Sequence, residues 1–366
     1  MRLAIIADWL PTFGGAEHVI AELHALWPEA PIFTTVARHG HLGPLDHADI
    51  RTSTLQKWYR LLGRHEVLLP WMPRAIEAVD LRAFDTVMSS SHAVAKGIIP
   101  SSSAVHVCYC HTPMRYAWEM EEEYLRDFRV PKMLRRTVRR TLKHLRRWDM
   151  TTARRVDRFL ANSRTTQERI SRVYGRESTV IPPPVQEKFL KAPLSAATDR
   201  KGFLAIGRLV PYKRFDLLIA AANQLHIPLT IAGNGSDFAR LKALAGPTVH
   251  MLGFVPDADL PDLYGHARAL LLPQVEDAGV VPLEAQACGT PVIALRRGGV
   301  LDTVQDGVTG MFFGEQTVDA LQGALERFGH TPFDHAAIRE HARQFSSDRF
   351  RERIEQMVMR VIEMKK

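Results

Sequence analysis

Two glutamates, Glu276 and Glu284, bracket a seven-residue run in PQVEDAGVVPLEAQACGTPVIA (273–294). Apolar runs on either side (269–273 and 291–295) make this a strand–turn–helix unit. Pro282 suits the first turn of the helix, and Gly289 its stop before Pro291. Glu284 is then expected in that first turn, with Glu276 in the loop ahead of it. Backbone N–H groups near Gly279, Val280 and Val281 would lie at the helix N-terminus, a ready anion site, and Gly279 lets the backbone approach a ligand. Carboxylates here can face sugar hydroxyls while the amides face phosphate. The plainer alternative is that Glu284 complements the helix dipole and Glu276 is solvated.

Three further stretches follow apolar runs in the same way. In GRLVPYKRFD (207–216), Arg208 and Lys213 can converge on a diphosphate and stabilise it as a leaving group without a metal. They can equally be two solvated cations beside a turn. In TFGGAEHV (12–19), Gly14 and Gly15 offer amides near a helix start, or form a tight turn. In CYCHTPMRYAW (108–118), His111 lies where open parallel sheets bind ligands, and can take a proton, hydrogen-bond a hydroxyl or be structural. IAGNGSDF (231–238) has Gly233 and Gly235, but lacks the third glycine and distal acid of a dinucleotide fingerprint. Asp257 and Asp259 form a DxD that reads as capping and turn chemistry, so no metal site is expected. Phosphate-loop, esterase and zincin motifs are missing.

The elements that position these residues are short, continuous apolar runs, as in strands buried on both faces, alternating with amphipathic segments. That pattern predicts an α/β protein of two doubly wound domains, and 366 residues is too long for one ordinary core. The expected limits are a first domain over 1–183, a proline- and alanine-rich linker over 184–200, and a second domain over 201–345. A final helix, 346–366, capped by Ser346 or Ser347, packs on the second domain or returns to the first. The three cysteines form no CxxC pair and fit buried thiols in a reducing cytosol. The N-terminal run is too short for a signal peptide and reads as a first strand, and no run is long enough to span a bilayer.

Taken together these stretches resemble a known family. GRLVPYKRFDLLI, IAGNG, EDAGVVPLEAQACGTPVIA and GGVLDTVQDGVTG are similar to the retaining family 4 glycosyltransferases of GT-B fold. FGGAEHV, CYCHTPMRYAW, RRWDMTTARRVDRFLANS and VIPPPV resemble the bacterial mannosyltransferases of O-antigen and exopolysaccharide assembly. The resemblance implies two Rossmann-like domains, the first binding the acceptor and the second the nucleotide sugar. It implies Glu284 on the ribose, Glu276 and His111 on the donor sugar, Arg208 and Lys213 on the diphosphate, Gly15 approaching it, and Val255 at the base. Gly14, Gly233, Gly279, Val280 and Val281 complete the expected donor contacts. It further implies GDP-mannose as donor, with a UDP-sugar as runner-up, a lipid-linked saccharide acceptor, and no resident cofactor or metal. One departure is Ala278, where the family usually carries an aromatic residue, which loosens the wall near the donor sugar. The other classes left open are a dinucleotide-dependent oxidoreductase and a noncatalytic nucleotide-sugar-binding protein.

The formal charge is +8, from 48 Lys and Arg against 40 Asp and Glu. Much of that excess sits in VPKMLRRTVRRTLKHLRRW (130–148), which has helical periodicity. Leu134, Val138, Leu142, Leu145 and Trp148 fall on one stripe. Arg135, Arg136, Arg139, Arg140, Lys143, Arg146 and Arg147 fall on the other side, with Glu119, Glu121, Glu122 and Glu123 just upstream. This face is expected to dock on an anionic membrane, at the cytoplasmic leaflet where a lipid-linked acceptor would lie, the plainer alternative being a solvated basic face on a helix whose apolar stripe packs into the first domain. Nucleic acid is not expected as a partner.

Overall fold

The apolar runs become parallel strands in a computed structural model that describes residues 1–119, 121 and 131–365, the side chain of Leu134 excepted. Val130, Glu122 and Glu123 lie outside the described residues. The chain divides into two compact units, Met1–Pro182 with the residues from Arg351 onward, and Pro183–Phe350.

Among its described residues the first unit holds seven strands: β1 (Leu3–Ala7), β2 (Ile32–Thr34), β3 (Ile50–Thr52), β4 (Thr86–Ser91), β5 (Val105–Cys110), β6 (Arg158–Ala161) and β7 (Ser178–Val180). They form one sheet in the order β3-β2-β1-β4-β5-β6-β7, every pairing parallel. β1, β4 and β5 are fully buried, as covered parallel strands should be. Cys108 and Cys110 of β5 are buried free thiols, and burial pushes Cys108 up to about 12.

The second unit holds six strands: β8 (Phe203–Ile206), β9 (Leu229–Ala232), β10 (Val249–Gly253), β11 (Ala269–Leu272), β12 (Val292–Leu295) and β13 (Gly310–Phe313). Their order is β10-β9-β8-β11-β12-β13, again all parallel. Strand order reverses between β1 and β4 in one sheet and between β8 and β11 in the other. In open α/β sheets, such reversals leave a crevice at the carboxyl ends of the strands.

The stretch expected as a linker, 184–200, is built into the second unit instead. The Val185 N–H donates to the Phe345 carbonyl at 2.8 Å, and Phe189 and Leu190 of the helix Glu187–Lys191 are buried. Arg200 is buried too, donating to Thr290 Oγ1 at 2.7 Å and to the carbonyls of Ala267 and Cys288. Proline interrupts regular structure without preventing the apolar residues between from packing.

The last helix, Ser347–Lys365, starts with Ser346 Oγ accepting the Arg349 N–H at 3.4 Å. From Arg351 on, it is held to the first unit: Arg351 pairs with Glu22 at 2.5 Å, and Lys365 with Asp157 at 2.7 Å.

Candidate active site

In the second unit, the chain leaves β8 through Gly207 and forms a 3-10 turn, Pro211–Lys213. Arg214 follows at φ 55, a left-handed conformation uncommon for arginine, and opens the helix Phe215–Leu225. That turn aims Lys213 at the loop after β11, where its Nζ lies 2.8 Å from Glu276 Oε1. The reversal point between β8 and β11 therefore carries an opposite-charge pair, both members largely buried. Gln274 Nε2 donates to the same Glu276 oxygen at 3.1 Å, while its own buried Oε1 has no protein partner. Arg208 stands exposed just past β8.

The Glu276 loop is clamped from behind by Gly298 and Gly299. A Cβ at Gly298 would lie 2.4 Å from the Glu276 carbonyl oxygen, and one at Gly299 would lie 2.3 Å from that of Asp277. The Gly299 N–H donates to the Glu276 carbonyl at 2.8 Å. Gly279, at φ 73, caps the helix Val280–Ala287 without a side chain. The first N–H groups of that helix, from Val280 and Val281, have no acceptors within the helix.

Glu284 is the fifth residue of this helix, so it lies in the second turn rather than the first. Its Oε2 accepts the Tyr264 hydroxyl at 2.7 Å. Burial, offset in part by Tyr264 and Lys188, pushes its carboxyl up to about 7. Asp257 pairs with Lys188, and Asp259 precedes the helix Leu260–Gly265 at the N-cap position without a side-chain cap bond. Among the described residues, no cluster of three or more His, Cys, Asp or Glu is arranged to hold a metal ion.

Gly233 has a packing role in the structure. A Cβ there would meet the Gly207 carbonyl oxygen at 1.9 Å, and its N–H is taken by the Gly253 carbonyl at 2.6 Å. Val255 follows β10 and is partly exposed, beside the more exposed Phe254.

In the first unit, the reversal point is occupied by residues the motifs did not single out. Asp8, directly after β1, is buried and accepts the backbone N–H groups of His92 (2.7 Å), Ala93 (3.1 Å) and Ala95 (2.5 Å). His92, directly after β4, places Nδ1 2.9 Å from the same carboxylate. Burial favours the neutral forms of both. Their mutual charge and the hydrogen bonds outweigh it, leaving Asp8 below and His92 above its ordinary value.

His111 lies one strand further on. Its Nε2 is 2.8 Å from Ser90 Oγ, and its ring is 6.2 Å from that of His92, centroid to centroid. Asn162 and Thr166 hold its carbonyl. Burial, followed by the charge on His92, drives His111 down to about 3, so it is neutral around pH 7. Two histidines with opposite preferences thus share the carboxyl edge of one sheet.

Gly14 caps the helix Gly15–Leu26 in extended backbone. A Cβ at Gly15 would meet nothing within 4 Å, so packing of this chain does not demand a glycine there. Glu17, in the first turn, is pushed up by burial, countered in part by its own backbone N–H and by the charge on His92. Strand ends were the signal for Asp8 and His92: ADW and SSSHA each follow an apolar run directly.

On the basic helix, Lys132–Thr152, the seven cations expected on the basic face separate into groups. Arg146 pairs with Glu121 at 2.6 Å and Arg139, itself exposed, pairs with the same carboxylate at 3.2 Å, so the charge of these two is answered within the protein. Arg135 is half-buried, whereas Arg136, Arg140, Lys143 and Arg147 are exposed at helical spacing.

Residues 13–189 match the model for Glycosyltransferase Family 4, and residues 186–345 match that for Glycosyl transferases group 1. Between them the two matches run across both units, and together with the two parallel sheets they support a family 4 glycosyltransferase of GT-B fold. Among curated relatives, a D-inositol 3-phosphate glycosyltransferase of Geodermatophilus obscurus is 32% identical over 226 residues, which is 53% of this chain and 50% of that protein. A GDP-mannose-dependent alpha-(1-6)-phosphatidylinositol monomannoside mannosyltransferase of Mycolicibacterium smegmatis is 31% identical over 252 residues, 58% of this chain and 66% of that one. The matches thus span half to two-thirds of these relatives' lengths. Among solved structures, Anabaena Alr3699/HepE in complex with UDP-glucose has a TM-score of 0.68 at 18% identity, covering 98% of this chain and 100% of that one. That likeness is one of fold.

Proposed function

We propose that this protein is a retaining, metal-independent glycosyltransferase that moves mannose from GDP-mannose onto a lipid-linked saccharide acceptor in surface polysaccharide assembly. The observation that carries the reading is the Lys213–Glu276 pair at the strand reversal, beside the open helix start at Gly279. When a nucleotide sugar binds, Lys213 and Arg208 take the diphosphate, Glu276 the sugar hydroxyls and Glu284 the ribose. The bond from the anomeric carbon to the diphosphate oxygen breaks as the acceptor oxygen bonds to that carbon from the same face. The acceptor's proton passes to the departing phosphate oxygen, so cations and amides around the phosphates suffice. Neutral His111 contributes a hydrogen bond to the donor sugar rather than an acid.

GDP-mannose is preferred because the mycobacterial relative is named for it, and that relative's lipid acceptor suggests the acceptor class. A uridine donor is the runner-up, since the loop at Val255 offers the base backbone atoms rather than a charged side chain. The exposed Arg136, Arg140, Lys143 and Arg147 stripe would bring the enzyme to the anionic inner leaflet as a peripheral protein. No helix among the described residues is long and apolar enough to cross a membrane.

Calorimetric titration with GDP, UDP and NAD tests the assignment. GDP should bind most tightly and Glu284→Ala should weaken it about 10- to 150-fold. Tenfold tighter UDP would overturn the mannosyl assignment, and NAD binding without nucleoside diphosphate binding would revive the oxidoreductase.

A further inference from the structure

The apolar stripe of the basic helix is used inside the protein. Leu142 and Leu145 are buried with Met72 and Ile76, and Val138 and Trp148 pack against the same core. Outside that stripe the helix exposes Met133 and Met150, so a larger apolar group offered to a lipid surface has to come from a neighbouring element.

The segment QKWYRLLGRHEVLLPWMPR (56–74) supplies such a group. In the helix Gln56–Leu62, Trp58, Leu61 and Leu62 stand at i, i+3 and i+4 on one face. Trp58 is 58% and Leu61 75% exposed, while Tyr59 on the other side is buried. The chain turns through Gly63 at φ 67 into a 3-10 turn, Glu66–Trp71. There Leu68 and Leu69 go inward, while Val67 and Trp71 remain exposed, Trp71 by 56%. Five large apolar side chains on one short connection exceed the scattered exposure usual on a protein surface.

Cations rim this patch. Lys57, Arg60, Arg64 and Arg74 are exposed, and the segment's one acid, Glu66, lies 3.7 Å from His65 Nδ1. Arg64, Val67 and Pro70 share a groove with Thr137, Val138 and Thr141 of the basic helix. The patch is therefore continuous with the helix that carries the Arg136–Arg147 stripe. A second copy of the chain would press like charges together across a self-complementary contact, and an apolar protein partner would leave the cations unanswered. Tryptophan and leucine ringed by arginine and lysine match an anionic bilayer interface, where indoles sit at headgroup level.

We propose that 56–74 is a bilayer-docking wedge: Trp58, Leu61, Leu62, Val67 and Trp71 enter the headgroup–acyl boundary while the surrounding cations engage lipid phosphates. It rests on the proposed approach to a lipid-held acceptor, but its test needs no turnover.

The test uses phosphatidylcholine vesicles with about one-third phosphatidylglycerol, with and without bromine-labelled acyl chains. On binding, the wild-type tryptophan emission should shift to the blue and be quenched by the brominated chains. Trp58→Ala/Trp71→Ala should partition at least about tenfold more weakly and lose the quenching, with unchanged circular dichroism and nucleotide affinity. Leu61→Gln, at the most exposed position, should lose roughly threefold or more, which keeps the test decisive if the double variant misfolds. Wild-type binding without shift or quenching would overturn the wedge, as would equal binding by the variants. A lipid-free dimer that the double variant dissociates would do the same. Quenching in a protein that binds no nucleotide sugar would support the wedge while rejecting the glycosyl-transfer reading.

Discussion

At the scale of single residues, the donor side turns on two groups with different electrostatics. Lys213 is a largely buried cation already facing a carboxylate, so under the proposed function an arriving diphosphate would meet a charge in place. Lys213→Ala should cost about 100-fold or more in turnover, and activity should survive excess EDTA. Inactivation by EDTA with rescue by manganese would return Asp257 and Asp259 to consideration. Glu284 is tuned by burial to about 7 from an ordinary 4.5. The folded protein thus holds a proton that the unfolded chain has released, so this group's contribution to stability falls as pH rises through that window. Ribose hydroxyls donate to a carboxylate, so nucleotide affinity should move the other way, rising between about pH 6 and 8. Calorimetry across that range should show the rise in the wild type and a flat profile in Glu284→Gln; a rise that persists in the variant would remove Glu284 from the ribose.

At the scale of elements, the basic helix is anchored by a buried ion pair. Lys96 Nζ lies 2.5 Å from Asp149 Oδ1, and Trp118 and Tyr174 donate to the other carboxylate oxygen. Removing one partner leaves an uncompensated buried charge, so Asp149→Asn should destabilise the protein by about 3–5 kcal/mol in urea unfolding. A loss below about 1 kcal/mol would mean that the site admits water. Much of this level was legible in the sequence, because strands buried on both faces leave short, continuous apolar runs. β3 and β7 were missed because both are three-residue edge strands with half-exposed side chains. β13 is only four residues long and opens on Gly310, where a Cβ would lie 2.1 Å from the Val292 carbonyl oxygen. The glutamate and lysine loops were visible because strand–turn–helix punctuation is local. The Asp8–His92 pair was not, since it joins residues 84 positions apart through the order of the sheet.

At the scale of the whole molecule, each unit places its charged groups where its strand order reverses: Asp8 and His92 in one, Lys213 and Glu276 in the other. The exposed cations proposed to meet lipid belong to the first unit, on the basic helix and the 56–74 segment. Charge reversal at Arg136, Arg140 and Lys143 should therefore abolish sedimentation with anionic vesicles while donor hydrolysis in solution continues. Vesicle binding indifferent to this change would place the lipid contact elsewhere. The central claim is glycosyl transfer with retention, and product analysis tests it most directly. Incubation with GDP-mannose and a lipid-linked saccharide acceptor should release GDP and give an α-linked mannosyl product by proton NMR, both formed about 100-fold or more slowly by Lys213→Ala. A β-linked product, or no nucleoside diphosphate released from any sugar donor in a panel, would contradict the account.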